Sequence, residues 1–192
     1  MSSVLLDHQT INNIKSDTVQ FGMALILSHL FASKSLFEKD CANSKSILLS
    51  LIGFAVYQTI VSKLFVTNSL NATLRVTLDD LLKFSTMLYV SKYLGDYENV
   101  YSKEFGLTSL NLLVSFLVYN SFVGKHLTSR LISDKLSLNQ VMAVSDLVKF
   151  TFVLGTAGVL NYLSDVGKLD MEYFRLTLGY VTGLVTYDLL LA

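Results

Sequence analysis

Three short runs of the chain place an acidic residue three positions before a lysine or a glutamine. These runs, which we call the first motif, are Asp17–Gln20, Asp80–Lys83 and Asp146–Lys149. Residues at positions i and i+3 share one face of a helix, so each run presents a carboxyl group and a hydrogen-bond donor together. Ionisable side chains inside a membrane helix usually point inward and find a partner. The first motif therefore suits a polar network that links helices.

A second motif follows each copy of the first and places a tyrosine before a polar residue. The three copies are Tyr57–Gln58, Tyr119–Asn120 and Tyr187–Asp188. The interval from the acid of the first motif to this tyrosine is 40, 39 and 41 residues. Two motifs in a fixed order and at near-constant spacing predict a threefold internal repeat. The predicted repeats cover residues of about 16–67, 79–130 and 145–192, and a polar arm covers residues 1–15.

The composition favours a protein of the lipid bilayer. Hydrophobic residues make up 52% of the 192 residues, and the mean hydropathy is +0.50. Such a balance is typical of membrane helices, whereas the charged fraction of 16% requires polar loops. The formal net charge is zero, so we expect no nucleic-acid partner, which would require a basic face. The chain has no proline, so polar clusters and glycines must set the helix ends.

The hydrophobic pattern predicts an all-α membrane protein of about six short transmembrane helices, arranged as three parallel helical hairpins. An even number of spans puts both termini on the same side of the membrane, and we favour the cytoplasmic side. The N-terminal arm is expected to lie on the membrane surface. The predicted helices run from Thr18 to Ala32, Ser46 to Val66, Asp79 to Leu94, Gly106 to Val123, Gln140 to Tyr162, and Tyr173 to the end.

Each motif has two interpretations at this stage. The first motif forms an inter-repeat network around a pseudo-threefold axis, or else each acid caps its helix and each lysine extends to the membrane surface. The tyrosines of the second motif form an aromatic belt at the membrane interface, or else they line a polar path. Gly179 and Gly183 have the small-xxx-small spacing that permits two helices to pack closely.

The sequence contains no pattern typical of an enzyme or a metal site. His8, His29 and His126 share no ligand spacing, and the single cysteine, Cys41, cannot form an internal disulfide. Glycine-rich phosphate loops and nucleophile motifs are also absent from the sequence. We therefore expect a non-enzymatic protein with no catalytic residues, no bound metal and no cofactor.

Parts of both motifs resemble small multi-span virion membrane proteins of large DNA viruses. The resemblance rests on the run Asp80–Leu94 and on the Phe-x-Val-Tyr runs Phe54–Tyr57 and Phe116–Tyr119. It implies a multi-pass protein of an internal virion membrane, with a structural role between that membrane and a capsid.

Two functions follow from these patterns. The first is a scaffold that docks a membrane to neighbouring protein, such as a viral capsid layer, through its polar loops. Its partners would be the lipid bilayer and other membrane or shell proteins of a larger assembly. The alternative is a small three-repeat transporter or channel, because internal repeats and intramembrane charges are common in transporters.

Overall fold

Six helices form the part of the chain that the computed structural model describes, which is residues 8–32, 42–64, 72–124 and 136–191. No strand occurs within these ranges. Two of the helices, Ala42–Val56 and Lys103–Val118, continue into the π-helical turns Tyr57–Val61 and Tyr119–Val123, and the first of these turns is followed by the short helical turn Ser62–Leu64. The helices are α1 (His8–Phe31), α2 (Ala42–Val56), α3 (Ala72–Gly95), α4 (Lys103–Val118), α5 (Leu138–Leu163) and α6 (Met171–Leu190).

The helices pack in a closed ring. Each helix contacts the helices before and after it in the chain, and α6 returns to contact α1. Gln58, near the end of α2, bonds to Asp17, in the first half of α1, so these two helices are antiparallel. We refer to α1–α2, α3–α4 and α5–α6 as the first, second and third hairpins.

Aromatic rings fill the centre of the bundle. Phe21 stacks on Phe54 with ring centroids 4.2 Å apart, and Phe84 stacks on Phe116 at 4.5 Å. Phe150 meets the second pair edge-on, with its centroid 5.9 Å from Phe84 and 6.0 Å from Phe116. Stacked and edge-to-face pairs at these separations are the favourable geometries for aromatic rings. These five rings belong to five of the six helices and form the aromatic part of the core, while α6 contributes Val181 and Leu184 to it.

Large apolar side chains are exposed on the outside of all six helices. An example from each helix in turn is Val19, Leu48, Val76, Leu117, Leu147 and Leu178. A helix on the surface of a soluble protein would instead have a polar outer face. Three helical segments are long and apolar enough to cross a membrane, namely Ser44–Leu64, Lys103–Val123 and Leu138–Leu163.

All six helices begin earlier than the sequence suggested, and the differences are largest for α1 and α3. α1 begins at His8, so residues 8–15 are its first turns and not a separate arm, while residues 1–7 lie outside the described ranges. α3 begins at Ala72, well before the predicted start at Asp79. Some polar residues of these early turns, such as Thr10 and Thr77, are buried inside the ring of helices, so they fit within a helix of the bundle. Hydrophobic periodicity alone does not reveal such residues as helical.

Glycines allow α6 to lie directly against the backbone of α1. A Cβ atom added to Gly183 would overlap the backbone of Met23 and Ala24, and one added to Gly179 would overlap the backbone of Leu27. The small-xxx-small spacing of these glycines therefore coincides with a true close approach. This contact closes the ring.

Candidate functional site

The acids of the first motif lie inside their helices and not at the helix starts. Asp17 follows the first residue of α1 by nine positions, and Asp80 and Asp146 follow those of α3 and α5 by eight. At 1.5 Å per residue the acids lie about 12–14 Å along their helices. The interpretation of these acids as helix caps is therefore wrong. Lys83 and Lys149 do not extend to the surface either, since each bonds to an acid of another helix.

The Asp80 cluster, formed by Asp80, Asn120 and Lys149, joins α3, α4 and α5. Lys149 Nζ donates to both carboxylate oxygens of Asp80, at 2.7 and 2.6 Å. Asn120 Nδ2 donates to Asp80 Oδ2 at 2.8 Å. Asp80 is 8% exposed, so water screens this ion pair only slightly. The acid thus has both a cation and a neutral donor.

The Asp17 cluster, formed by Asp17, Gln58 and Lys83, has the same composition one hairpin earlier. Gln58 Nε2 donates to Asp17 Oδ2 at 2.7 Å, and Lys83 Nζ donates to Asp17 Oδ1 at 3.2 Å. As in the Asp80 cluster, the amide comes from the same hairpin as the acid and the lysine comes from the next hairpin. The two clusters therefore use corresponding residues for corresponding contacts.

The Asp146 cluster, formed by Asp146, Asp188 and Gln20, keeps this arrangement with different side chains. Gln20 Nε2, from α1, donates to Asp146 Oδ2 at 3.0 Å and to Asp188 Oδ1 at 3.4 Å. Asp188, from α6 of the same hairpin, therefore shares the Gln20 amide with Asp146, which brings the two carboxyl groups together. A glutamine thus occupies the lysine position, and a carboxyl group occupies the amide position.

The three clusters together contain nine side chains, three in each, and every one of the six helices or its π-helical turn contributes at least one of them. Each cluster takes the acid of the first motif and the polar residue of the second motif from one hairpin. It takes the lysine or glutamine of the first motif from another hairpin. The donor of the last cluster, Gln20, lies on α1, so the series of contacts closes on the first hairpin. We call this arrangement the polar ring.

The tyrosines of the second motif are buried, so the interpretation as an interfacial aromatic belt is wrong. Tyr57, Tyr119 and Tyr187 are at most 8% exposed. Tyr57 OH donates to Asp79, the residue before the acid of the second hairpin. Tyr187 OH lies 3.0 Å from Ser16 Oγ, the residue before the acid of the first hairpin. These two tyrosines therefore join successive hairpins beside the clusters.

The π-helical turns Tyr57–Val61 and Tyr119–Val123 begin at the tyrosine of the second motif in the first two hairpins. Each turn carries the amide, Gln58 or Asn120, that bonds to the acid of its hairpin. Such turns often occur at functional sites in helices. In the third hairpin Tyr187 and Asp188 lie within the regular α-helix α6.

Aromatic faces support the two lysines. Lys83 Nζ lies 5.6 Å from the ring centroid of Phe21, and Lys149 Nζ lies 5.6 Å from that of Phe116. A desolvated ammonium group over an aromatic face gains electrostatic stabilisation. The same phenylalanines that form the core therefore help to hold the charges of the polar ring.

A cavity of about 340 Å³ lies between the first helices of the three hairpins. Its lining is both charged and aromatic, because each copy of the first motif contributes to it. Typical binding pockets for small molecules have volumes of about 300–1,000 Å³. The charged and amide side chains that line it are Gln20, Asp80, Lys83, Asp146 and Lys149.

Outside the polar ring, the structure joins helices through fewer polar contacts. Asn111 on α4 donates to Asn161 on α5 at 2.9 Å, and Ser28 on α1 donates to the carbonyl of Leu176 on α6 at 2.8 Å. Among the described residues, no group of three or more His, Cys, Asp or Glu side chains could hold a metal ion.

The sequence pointed to the members of the polar ring but not to all of their contacts. The bonds from Gln58 and Asn120 to the acids, and the contact between Asp146 and Asp188, were not anticipated. The signal that could have indicated these contacts was the near-constant interval between the two motifs. In an antiparallel hairpin, a constant interval places the second motif beside the first in every copy. Comparisons with protein families, with curated proteins and with solved structures found no match.

Proposed function

We propose that the chain is a non-enzymatic integral membrane protein whose three helical hairpins form a structural scaffold. Support for a membrane location comes from the distribution of side chains. All six helices expose large apolar residues, whereas the acids and lysines of the polar ring are turned inward. This distribution suits a bundle surrounded by lipid, and we infer that all six helices cross the membrane.

The proposal includes a threefold repeat around a pseudo-threefold axis. Its support is the correspondence between the Asp17 and Asp80 clusters, which use equivalent residues for equivalent bonds. The stacked pairs Phe21–Phe54 and Phe84–Phe116 are equivalent in the same way. Three hairpins with two spans each would place both termini on one side of the membrane.

The observation that favours a scaffold over a channel is the filled centre of the bundle. The five phenylalanine rings of the core lie against the polar ring, with neighbouring centroids 4.2–6.0 Å apart. A channel would need a continuous polar path past these rings. A densely packed aromatic core instead gives a rigid body, which suits a protein that holds other proteins at a membrane.

The described connections at one end of the bundle, residues 95–104 and 164–172, would provide the docking surface. They carry six acidic side chains and two lysines, and such a surface is complementary to a basic partner. A shell or capsid protein with a basic inner face would fit, in line with the resemblance to virion membrane proteins. The residues are Asp96, Glu98, Lys103, Glu104, Asp165, Lys168, Asp170 and Glu172.

Two measurements test the membrane scaffold. Alkaline carbonate should leave the protein in the membrane pellet, and its release into the supernatant would refute an integral location. After chemical crosslinking and extraction in mild detergent, the wild-type protein should co-purify with shell proteins. The combined substitutions Glu98→Gln and Asp165→Asn should weaken that association, whereas Arg75→Gln, an exposed change at the opposite end, should not. Equal association of all variants would refute docking through this surface.

A small transporter is the second candidate, and the charged cavity favours it. A cavity lined by two lysines and two aspartates suits a small zwitterionic or anionic solute. Purified protein in liposomes distinguishes the candidates. Solute flux that is lost on substitution of Lys83 or Lys149 would support transport, whereas a scaffold should give no flux above that of empty liposomes.

A further inference from the structure

The Asp146 cluster has no cation where the other two clusters have one. Asp17 and Asp80 each bond to a lysine and to an amide. Asp146 instead bonds to the neutral Gln20, and it shares this donor with a second carboxyl group, that of Asp188. With both carboxyl groups ionised, this cluster would hold two negative charges and no positive one.

Asp188 is the most enclosed member of the polar ring. Its side chain is 0% exposed, and its Oδ2 atom is buried without a hydrogen-bond donor. Two carboxylates in contact offer only acceptors to each other, so an added proton is the one group that would turn this contact into a hydrogen bond. Like charges that share a buried site cannot both persist without such a proton.

The neighbouring cations are already engaged. Lys149 on α5 bonds to Asp80, and Lys83 on α3 bonds to Asp17. The remaining ionisable groups that interact with the cluster from the packed helices are Asp80 on α3 and Tyr180 on α6 itself. Among the described residues, neither carboxyl group of the cluster has an ion-pair partner.

We propose that Asp146 and Asp188 together bind one exchangeable proton at neutral pH. Binding changes the charge of the pair from −2 to −1 and requires no other reactant. The proton then lies between the two carboxyl groups as a short charge-assisted hydrogen bond. A proton fits better than a metal cation, because Gln20 turns its amide NH₂ group, a donor, toward both carboxyl groups. This proposal does not depend on whether the protein is a scaffold or a transporter.

Infrared spectroscopy of the wild-type protein in detergent or liposomes tests the proposal directly. At neutral pH the spectrum should contain a C=O stretching band of a protonated carboxylic acid that shifts in D₂O. The band should disappear as the pH is raised, as carboxylate bands grow. A wild-type spectrum with no such band at neutral pH would overturn the proposal, whatever the variants do.

Three variants assign the band. Asp188→Asn should abolish it by giving the third hairpin the amide that the first two hairpins have. Gln20→Lys should also abolish it, because a lysine at this position would pair with Asp146 and displace the proton. Asp96→Asn, which changes an exposed carboxyl group, should leave it unchanged. A band that survives both Asp188→Asn and Gln20→Lys would overturn the assignment.

Discussion

The Asp80 cluster and the Asp146 cluster occupy equivalent places in successive hairpins but differ in charge. In the first, a lysine neutralises the acid and an asparagine supplies a second donor. In the second, glutamine and aspartate take these two places, and an uncompensated pair of carboxyl groups results. The packing of the helices thus fixes which positions form a cluster. The residue types at those positions decide whether the cluster is an ion pair or a proton-binding site.

The largest expected effect comes from breaking the ion pair of the Asp80 cluster. Lys149→Gln leaves Asp80 charged and buried without its cation, which should cost about 3–5 kcal/mol of stability. Asp80→Asn leaves the lysine stranded and should also lower the melting temperature clearly. Unfolding in detergent, followed by circular dichroism, measures both changes.

The double variant with Asp80→Asn and Lys149→Gln tests whether these two residues act as a pair. It should be less destabilised than the sum of the two single variants, because neither charge is left alone. Small and additive effects in all three proteins would contradict the burial and the pairing of these residues.

The contact between α1 and α6, beside the Asp146 cluster, should be the next most sensitive. Gly183→Ala places a methyl group against the backbone of Ala24, so α1 must move and the stability should fall by about 1–3 kcal/mol. Gly155→Ala is the matched control, because a Cβ atom there meets open space. That control should raise stability by up to about 1 kcal/mol through helix propensity. Equal losses from the two substitutions would refute the close approach.

Asn120→Asp transfers one feature of the Asp146 cluster to the Asp80 cluster. The change removes the amide donor to Asp80 and places a second carboxyl group beside it, which should cost about 1.5–3 kcal/mol at neutral pH. The loss should shrink when the pH is lowered, since a protonated carboxyl group can again donate to Asp80. Chemical denaturation at several pH values measures this, and a loss that does not change with pH would contradict it.

The smallest effect is expected at the exposed ion pair between Lys92 and Asp96. Lys92 Nζ lies 2.5 Å from Asp96 Oδ2, and Asn99 also donates to this carboxylate. The lysine and then the asparagine hold the pKa of Asp96 below its usual value. The associated stabilisation should be present above the unfolded pKa of about 3.9 and be lost as the pH falls below it. Lys92→Gln should therefore change the melting temperature only slightly at neutral pH, and a loss as large as that of Lys149→Gln would refute the contrast between buried and exposed pairs.

The contact between Lys149 and Asp80 could be predicted because the motifs recur at regular intervals. A repeated acid and base on one helix face cannot both be satisfied locally, so symmetry leads to a partner on the next hairpin. The position of Asp80 well inside α3, and not at the start of the helix, could not be predicted in the same way. The start of α3 at Ala72 was missed although Asn71, a residue type favoured at the N-cap of a helix, stands directly before it in the sequence.

The role of the second motif was harder to predict. A tyrosine followed by an amide fits a membrane interface as well as an interior, since both environments favour an apolar ring with a polar tip. The contacts of Gln58 and Asn120 depend on π-helical turns, which change the direction of these side chains without a known sequence signal. The pairing of Asp146 with Asp188 depends on which helices adjoin, and spacing along one helix does not specify that.

The contact of α6 with α1 has a consequence for how the protein is made. Asp17 meets Gln58 and Lys83 after 41 and 66 further residues, whereas Gln20 meets Asp146 and Asp188 only after 126 and 168. Chains are synthesised from the N-terminus, so α1 is made long before the helix whose glycines pack against it. In the proposed membrane location, this first helix would have to be shielded by the insertion machinery or by lipid until α6 arrives, and the order of synthesis makes the seam between α1 and α6 the last to form.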